Sequence, residues 1–106
     1  MIVPFVKPPA VVIVYLQEPR ERFWGLVRHL DSSGIVVQGI DLDSFDDWVR
    51  HIVERGEAPH LSTVFFPLPR VEKVLVDATS GPVPSLAEQF ERRVGRSLQE
   101  FLDSHE

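Results

Sequence analysis

Asp47 and His51 stand four residues apart, so on one face of a helix both could reach a single divalent cation. Asp43 is close in sequence and His60 could return from a following loop, which together would describe a small metal-dependent hydrolase. The same residues have a plainer use. Asp43, Asp46 and Asp47 fall at the cap and first turn of a helix, where carboxylates complement the helix dipole. His51 falls toward the other end, where a cation does the same. That use needs no ligand, and we expect no metal and no cofactor. The serines 32, 33, 62, 80, 85, 97 and 104 sit in no nucleophile-elbow context, and there is no glycine-rich phosphate loop. Without cysteine, thiolate zinc sites, cysteine nucleophiles and disulfides are excluded. No catalytic residue is assigned.

Six arginines could serve a nucleic acid: Arg92, Arg93 and Arg96 near the end of the chain, with Arg50, Arg55 and Arg70. Glu88, Glu91 and Glu100 interleave with the first three, which describes a solvated, ion-paired helix face. Eleven basic against sixteen acidic side chains give a formal charge of −5, so a basic field over the whole molecule is excluded and DNA is not expected as a partner. The longest strictly apolar run, Ala10 to Leu16, is far short of the ~20 residues a membrane helix needs. No secretory signal is read at the N-terminus. A cytoplasmic location is the expectation.

The elements that must position these side chains follow from periodicity and turn chemistry. At 106 residues, 43% hydrophobic and 25% charged, the chain has the composition of an ordinary globular domain. Residues 1–9, with three prolines, should run as an extended arm. Val11 to Gln17 is β-branched and ends before Pro19, a first strand. Arg22 to Leu30 is a second, apolar on both faces, with Gly25 marking a bend or a close backbone approach and His29 placed in a core or an interface. Asp31-Ser32-Ser33-Gly34 is a hairpin turn into a third strand, Ile35 to Leu42.

Phe45, Trp48, Val49 and Ile52 then make one apolar helical stripe over 45–55, capped by Asp43 or Ser44 and stopped by Gly56. Residues 57–60 connect to a fourth strand, Ser62 to Leu68, in which Pro67 implies a bulge or an unpaired edge. Pro69-Arg70 turns the chain into a fifth, Val71 to Val76. Residues 78–84 have linker composition. Ser85 and Glu88 have capping-box spacing ahead of a last helix from Leu86 to about Leu102. Glu88 and Arg92 pair at i,i+4 within it, and Gly95 suggests close packing or a kink at its middle. Its stripe of Leu86, Phe90, Val94, Leu98, Phe101 and Leu102 should dock on the sheet or on a neighbouring subunit. Trp24 and Trp48 are core residues by pattern.

Five short strands at hairpin spacing, with a glycine in the second and a two-residue turn before the fifth, can close into a small barrel. At this point the chain resembles the Sm-like family of Sm, LSm and Hfq proteins. Gly25, Val27 and Asp31 stand at the spacings of that family's first signature, and Val71 follows the tight turn of its second. The resemblance spans roughly residues 10–77 without the inserted helix. It implies a fold that is mainly β with helices, a five-stranded, strongly bent, SH3-type barrel. It also implies a homo-oligomeric ring made by pairing strand four of one copy (Thr63, Val64, Phe65 and Phe66) with strand five of the next (Val74, Leu75 and Val76).

The family's nucleotide pocket does not carry over. The chain has no asparagine to read a base edge, and the second turn reads Pro67-Leu68-Pro69 with Arg70 its single cation. Only Asp31, Ser32, Ser33, Gly34 and Arg70 remain as pore or RNA contacts. The resemblance therefore points first to assembly or the binding of some ligand, second to RNA held by nonstandard contacts.

Overall fold

The computed structural model describes residues 10–57 and 60–104. The expected N-terminal arm lies outside them, as do two residues of the 57–60 connection. The chain forms two compact units, one built from the residues up to Ser44 plus Leu61–Val76, the other from Phe45–His60 with Asp77 onward.

The first unit is a five-stranded antiparallel sheet. Its strands are β1 (Val11–Leu16), β2 (Glu21–Leu30), β3 (Gly34–Asp41), β4 (Ser62–Pro67) and β5 (Val71–Val76). They lie in the order β4-β3-β2-β1-β5, so β4 and β5 are the two edges. Each strand lies within a residue of its expected bounds. Alternation decides which side chains go inside. Val12, Val14 and Leu16 of β1 join Val27, Ile35, Val37 and Phe66 in one buried cluster, with Phe23, Val64, Val71 and Val74 packed against it. The Phe23 and Phe66 rings meet edge to face at 5.2 Å.

Four consecutive residues of β2, Trp24 to Val27, are buried, as expected of a strand apolar on both faces. Midway along it, Gly25 pairs with Gly39 of β3. A Cβ on Gly25 would lie 2.3 Å from the Gln38 carbonyl oxygen, and one on Gly39 only 1.9 Å from that of Trp24. The two backbones touch there as no other residue type permits. Two residues on, the β2–β3 register shifts between Val27 and His29. Such a shift bends a strand and strengthens its twist.

Pro67 stands at the end of an edge strand, where its missing N–H costs no ladder bond. The turn between β4 and β5 is longer than two residues, a 3₁₀ segment η1 over Leu68–Arg70 that takes Leu68 out of the expected strand.

The second unit is helical. The inserted helix α1 (Phe45–Arg55) buries the four expected residues, Phe45, Trp48, Val49 and Ile52. No single capping side chain opens it. A 3₁₀ turn over Leu42–Ser44 leads in, with the Asp43 amide donating to Asp41 Oδ1 at 2.9 Å. The single C-terminal helix expected over 85–104 is instead two, α2 (Leu86–Val94) and α3 (Leu98–Ser104). Gly95 adopts a left-handed conformation, φ 86°, and caps α2 through its N–H on the Glu91 carbonyl. Glycine at that place ends the helix where a pattern reading tolerated it inside one. Ser97 restarts the chain, accepting the Glu100 amide at 3.1 Å.

Breaking the helix lets both halves of the stripe close on the same tryptophan. Trp48 stacks on Phe90 at 5.2 Å and meets Phe101 edge-on at 5.8 Å. The inserted helix thus shares its core with α2 and α3, rather than being an appendage of the strands.

Only half of the capping box forms. Ser85 Oγ accepts the Glu88 amide at 3.0 Å, but the Glu88 carboxylate receives the Thr79 hydroxyl at 2.6 Å instead of returning to the cap. That bond, with Arg92 beside it, holds the Glu88 carboxyl below the usual range. Thr79 Oγ1 accepts the Ser85 amide in that carboxylate's place at 3.1 Å, and Asp77 takes the Leu86 and Ala87 amides at 2.9 Å each. Within the expected linker, 78–84, Thr79 therefore serves the helix cap, and the segment closes on itself through a Ser80–Val83 bridge.

Gly25→Ala and Gly39→Ala should each cost about 2–3 kcal/mol of stability, since the new methyl meets backbone that cannot yield. Urea unfolding checks this, with Gly56→Ala, whose Cβ meets nothing but whose φ is 78°, as a milder control.

Candidate functional site

The β2–β3 turn is built by Asp31. Its Oδ1 accepts the Ser33 amide at 2.8 Å, and its N–H bonds the Gly34 carbonyl at 3.1 Å. This is the Asx geometry that explains aspartate at the head of the turn. Asp31 Oδ2 lies 2.8 Å from His29 Nε2. Of the core or interface placement expected for His29, the core is excluded: its side chain is 64% exposed, next to the place where the register shifts. The Ser33 amide, then the His29 ring, hold the Asp31 carboxyl below its ordinary value. Ser32 and Ser33 are exposed, whereas Gly34 is buried against β4, with no room for a Cβ beside the Phe66 carbonyl.

The β4–β5 turn lies against this one, because the Leu68 amide donates to the Ser33 carbonyl at 3.0 Å. The structure thus brings Asp31–Gly34 and the start of the second turn together. Arg70 is committed elsewhere. Its Nε donates to the Gln17 carbonyl at 3.1 Å, and its Nη2 to the Pro19 carbonyl and to Glu21 Oε2, both at 2.8 Å. Gln17 reciprocates, its amide donating to the Arg70 carbonyl at 2.8 Å and its side chain to that of Pro69 at 3.1 Å. Arg70 is a brace for the β1–β2 turn. Gln17, its partner in that brace, carries no signal in the sequence beyond ending a strand.

The remaining signature positions serve the fold: Gly25 at its glycine contact, Val27 in the core, Val71 against it. Of the edge residues, Val64, Phe66 and Val74 point into the sheet core, while Phe65, Leu75 and Val76 are 53%, 42% and 45% exposed. Asp47 bonds Arg50 on its own helix, and among the described residues no three His, Asp or Glu side chains come together as a metal site. Of the helical arginines, Arg92 pairs with Glu88 at 2.7 Å as the pattern suggested, whereas Arg93 reaches Asp46 of α1 at 3.1 Å and Arg96 lies over the Phe101 ring at 5.2 Å. Among the described residues no helix is long and apolar enough to cross a membrane.

Against protein-family models, curated proteins and solved structures, the chain finds no match.

The Asp31 carboxyl should titrate below the ordinary aspartate value of 3.8 in a side-chain NMR experiment. Because its folded value is depressed, its stabilising contribution is present above the ordinary carboxylate range and is lost as pH falls through the folded value. His29→Ala should return the midpoint only part of the way, since the Ser33 amide is the larger cause.

Proposed function

We propose that the β-rich unit is a strongly bent, Sm-like barrel, and that copies of this chain assemble into a ring through β4 of one against β5 of the next. One observation supports the bend above the others. The β1–β2 and β2–β3 turns lie at opposite ends of β2, whose ten residues would hold them roughly 30 Å apart if straight. Yet η1 bonds both, Leu68 to Ser33 and Arg70 to Gln17. Leu68 and Arg70 are two residues apart, a reach of at most ~7 Å. A straight β2 cannot satisfy both bonds, and the Gly25–Gly39 contact with the register shift beyond it supplies the place to bend.

Assembly rests on the edges. The strand order leaves β4 and β5 with one side each unpaired by the other strands, and these edges carry the exposed Phe65, Leu75 and Val76. Apolar edge strands of this kind need a partner or a cover. Pairing β4 with β5 is a head-to-tail contact, which closes into a ring when the rotation allows. The reading assigns the protein a binding or assembly role in the cytoplasm, without catalytic residues.

A second reading, RNA held at Asp31–Gly34, is favoured by the adjacency of the two turns. The cation it would call on, Arg70, is committed to bracing the β1–β2 turn.

Light scattering should give the wild type a mass that is a multiple of 12.1 kDa at micromolar concentration. Phe65→Lys and Leu75→Lys should each reduce it to one chain with the circular dichroism spectrum retained. A wild-type monomer removes the ring. For the second reading, a labelled oligouridine should bind at physiological salt and respond to Ser32 and Ser33 substitution; binding confined to low salt ends it.

A further inference from the structure

At one end of the sheet, on the face away from the core cluster, lies a cleft of about 370 Å³. Its floor is Tyr15, which pairs across the sheet with Lys73 of β5 and Arg22 of β2. The three side chains therefore form one row, with the Lys73 ammonium 4.7 Å from the centre of the tyrosine ring. Most charges around the cleft are spoken for. Arg22 holds Asp43 at 3.1 Å, Glu21 is taken by Arg70 at 2.8 Å, and one oxygen of Asp41 accepts the Asp43 amide.

Three groups of different chemistry are left. Arg20, Glu72 and Tyr15 all line the cleft, and the guanidinium, carboxylate and hydroxyl they carry have no hydrogen bond or ion pair among the described residues. We propose that this cleft binds a free α-amino acid as its zwitterion, the ligand carboxylate on Arg20 with help from Lys73 and Tyr15 Oη, the ammonium on Glu72 and the open oxygen of Asp41.

Charge balance selects this class over simpler ones. With Arg22 paired to Asp43 and Glu21 to Arg70, Arg20 and Lys73 face Glu72 and Asp41 across the cleft lining, two charges of each sign. A phosphate or other pure anion meets Glu72 and Asp41, and a pure cation meets Arg20 and Lys73. A molecule carrying both signs a few bonds apart satisfies the two free side chains together, and each new contact is a charge-assisted hydrogen bond. A site open to water gives weak binding, matched to a metabolite present at high concentration. The proposal does not rest on ring assembly.

The test is an amide-shift NMR titration of the full chain with L-serine, L-leucine and L-arginine, against acetate and methylammonium at matched ionic strength. Saturable shifts at Tyr15, Arg20 and Glu72 with at least one amino acid, and about tenfold weaker responses to both single-charge controls, are expected. Arg20→Gln and Glu72→Gln, both at exposed and unpartnered side chains, should each weaken binding about fivefold with the rest of the spectrum unchanged. Linear, non-saturating shifts with all three amino acids overturn the proposal. So does equal binding of acetate, or wild-type affinity in both variants.

Discussion

The short 3₁₀ segment between β4 and β5 is the constraint on which the strand unit depends. It is a tie with two ends, fixed to one turn by the Leu68 amide and to another by the Arg70 carbonyl and guanidinium. With both ends fixed, the two bonds are the main support for the bend proposed in β2. Local chemistry at the middle of that strand gives the proposed bend its place. Two facing glycines let the backbones touch, and a register shift two residues on adds twist. Glu21 and the carbonyls of Gln17 and Pro19 occupy the Arg70 guanidinium, so that cation serves the architecture.

The strands were legible because their signals are local. Alternating β-branched residues, the Asp31 turn and Pro67 at an edge each act over a few positions, and every strand lies within a residue of its reading. The stripe of α1 was legible for the same reason. What escaped was decided by partners distant in sequence. Gly39 reads as an ordinary strand glycine until its register against Gly25 is known. His29 reads as a core or interface residue in an alternating strand, and past the shift after Val27 it is exposed. The continuous C-terminal helix failed at Gly95, where ending α2 gains a cap and lets Phe90 and Phe101 converge on Trp48.

The proposed amino-acid cleft belongs to the same class of hidden feature. Tyr15, Arg20, Glu72 and Lys73 come from two strands and a turn, with no spacing to join them in the sequence. Only the register that sets Lys73 and Arg22 on either side of Tyr15 makes them neighbours. The turn residues Asp31 to Gly34 were visible in advance, but as a hairpin signal. Their roles proved conformational first: Asp31 shapes the turn and Gly34 lets β4 approach.

The division of the chain into a strand unit and a helical unit places one indole in each, Trp24 in β2 and Trp48 in α1, and the sequence contains no third. The two report by different physics, one from within a sheet and the other from a stack on a phenylalanine ring. The protein therefore carries a separate built-in fluorophore for each half. Emission from a variant retaining a single indole then reads the packing around that one ring.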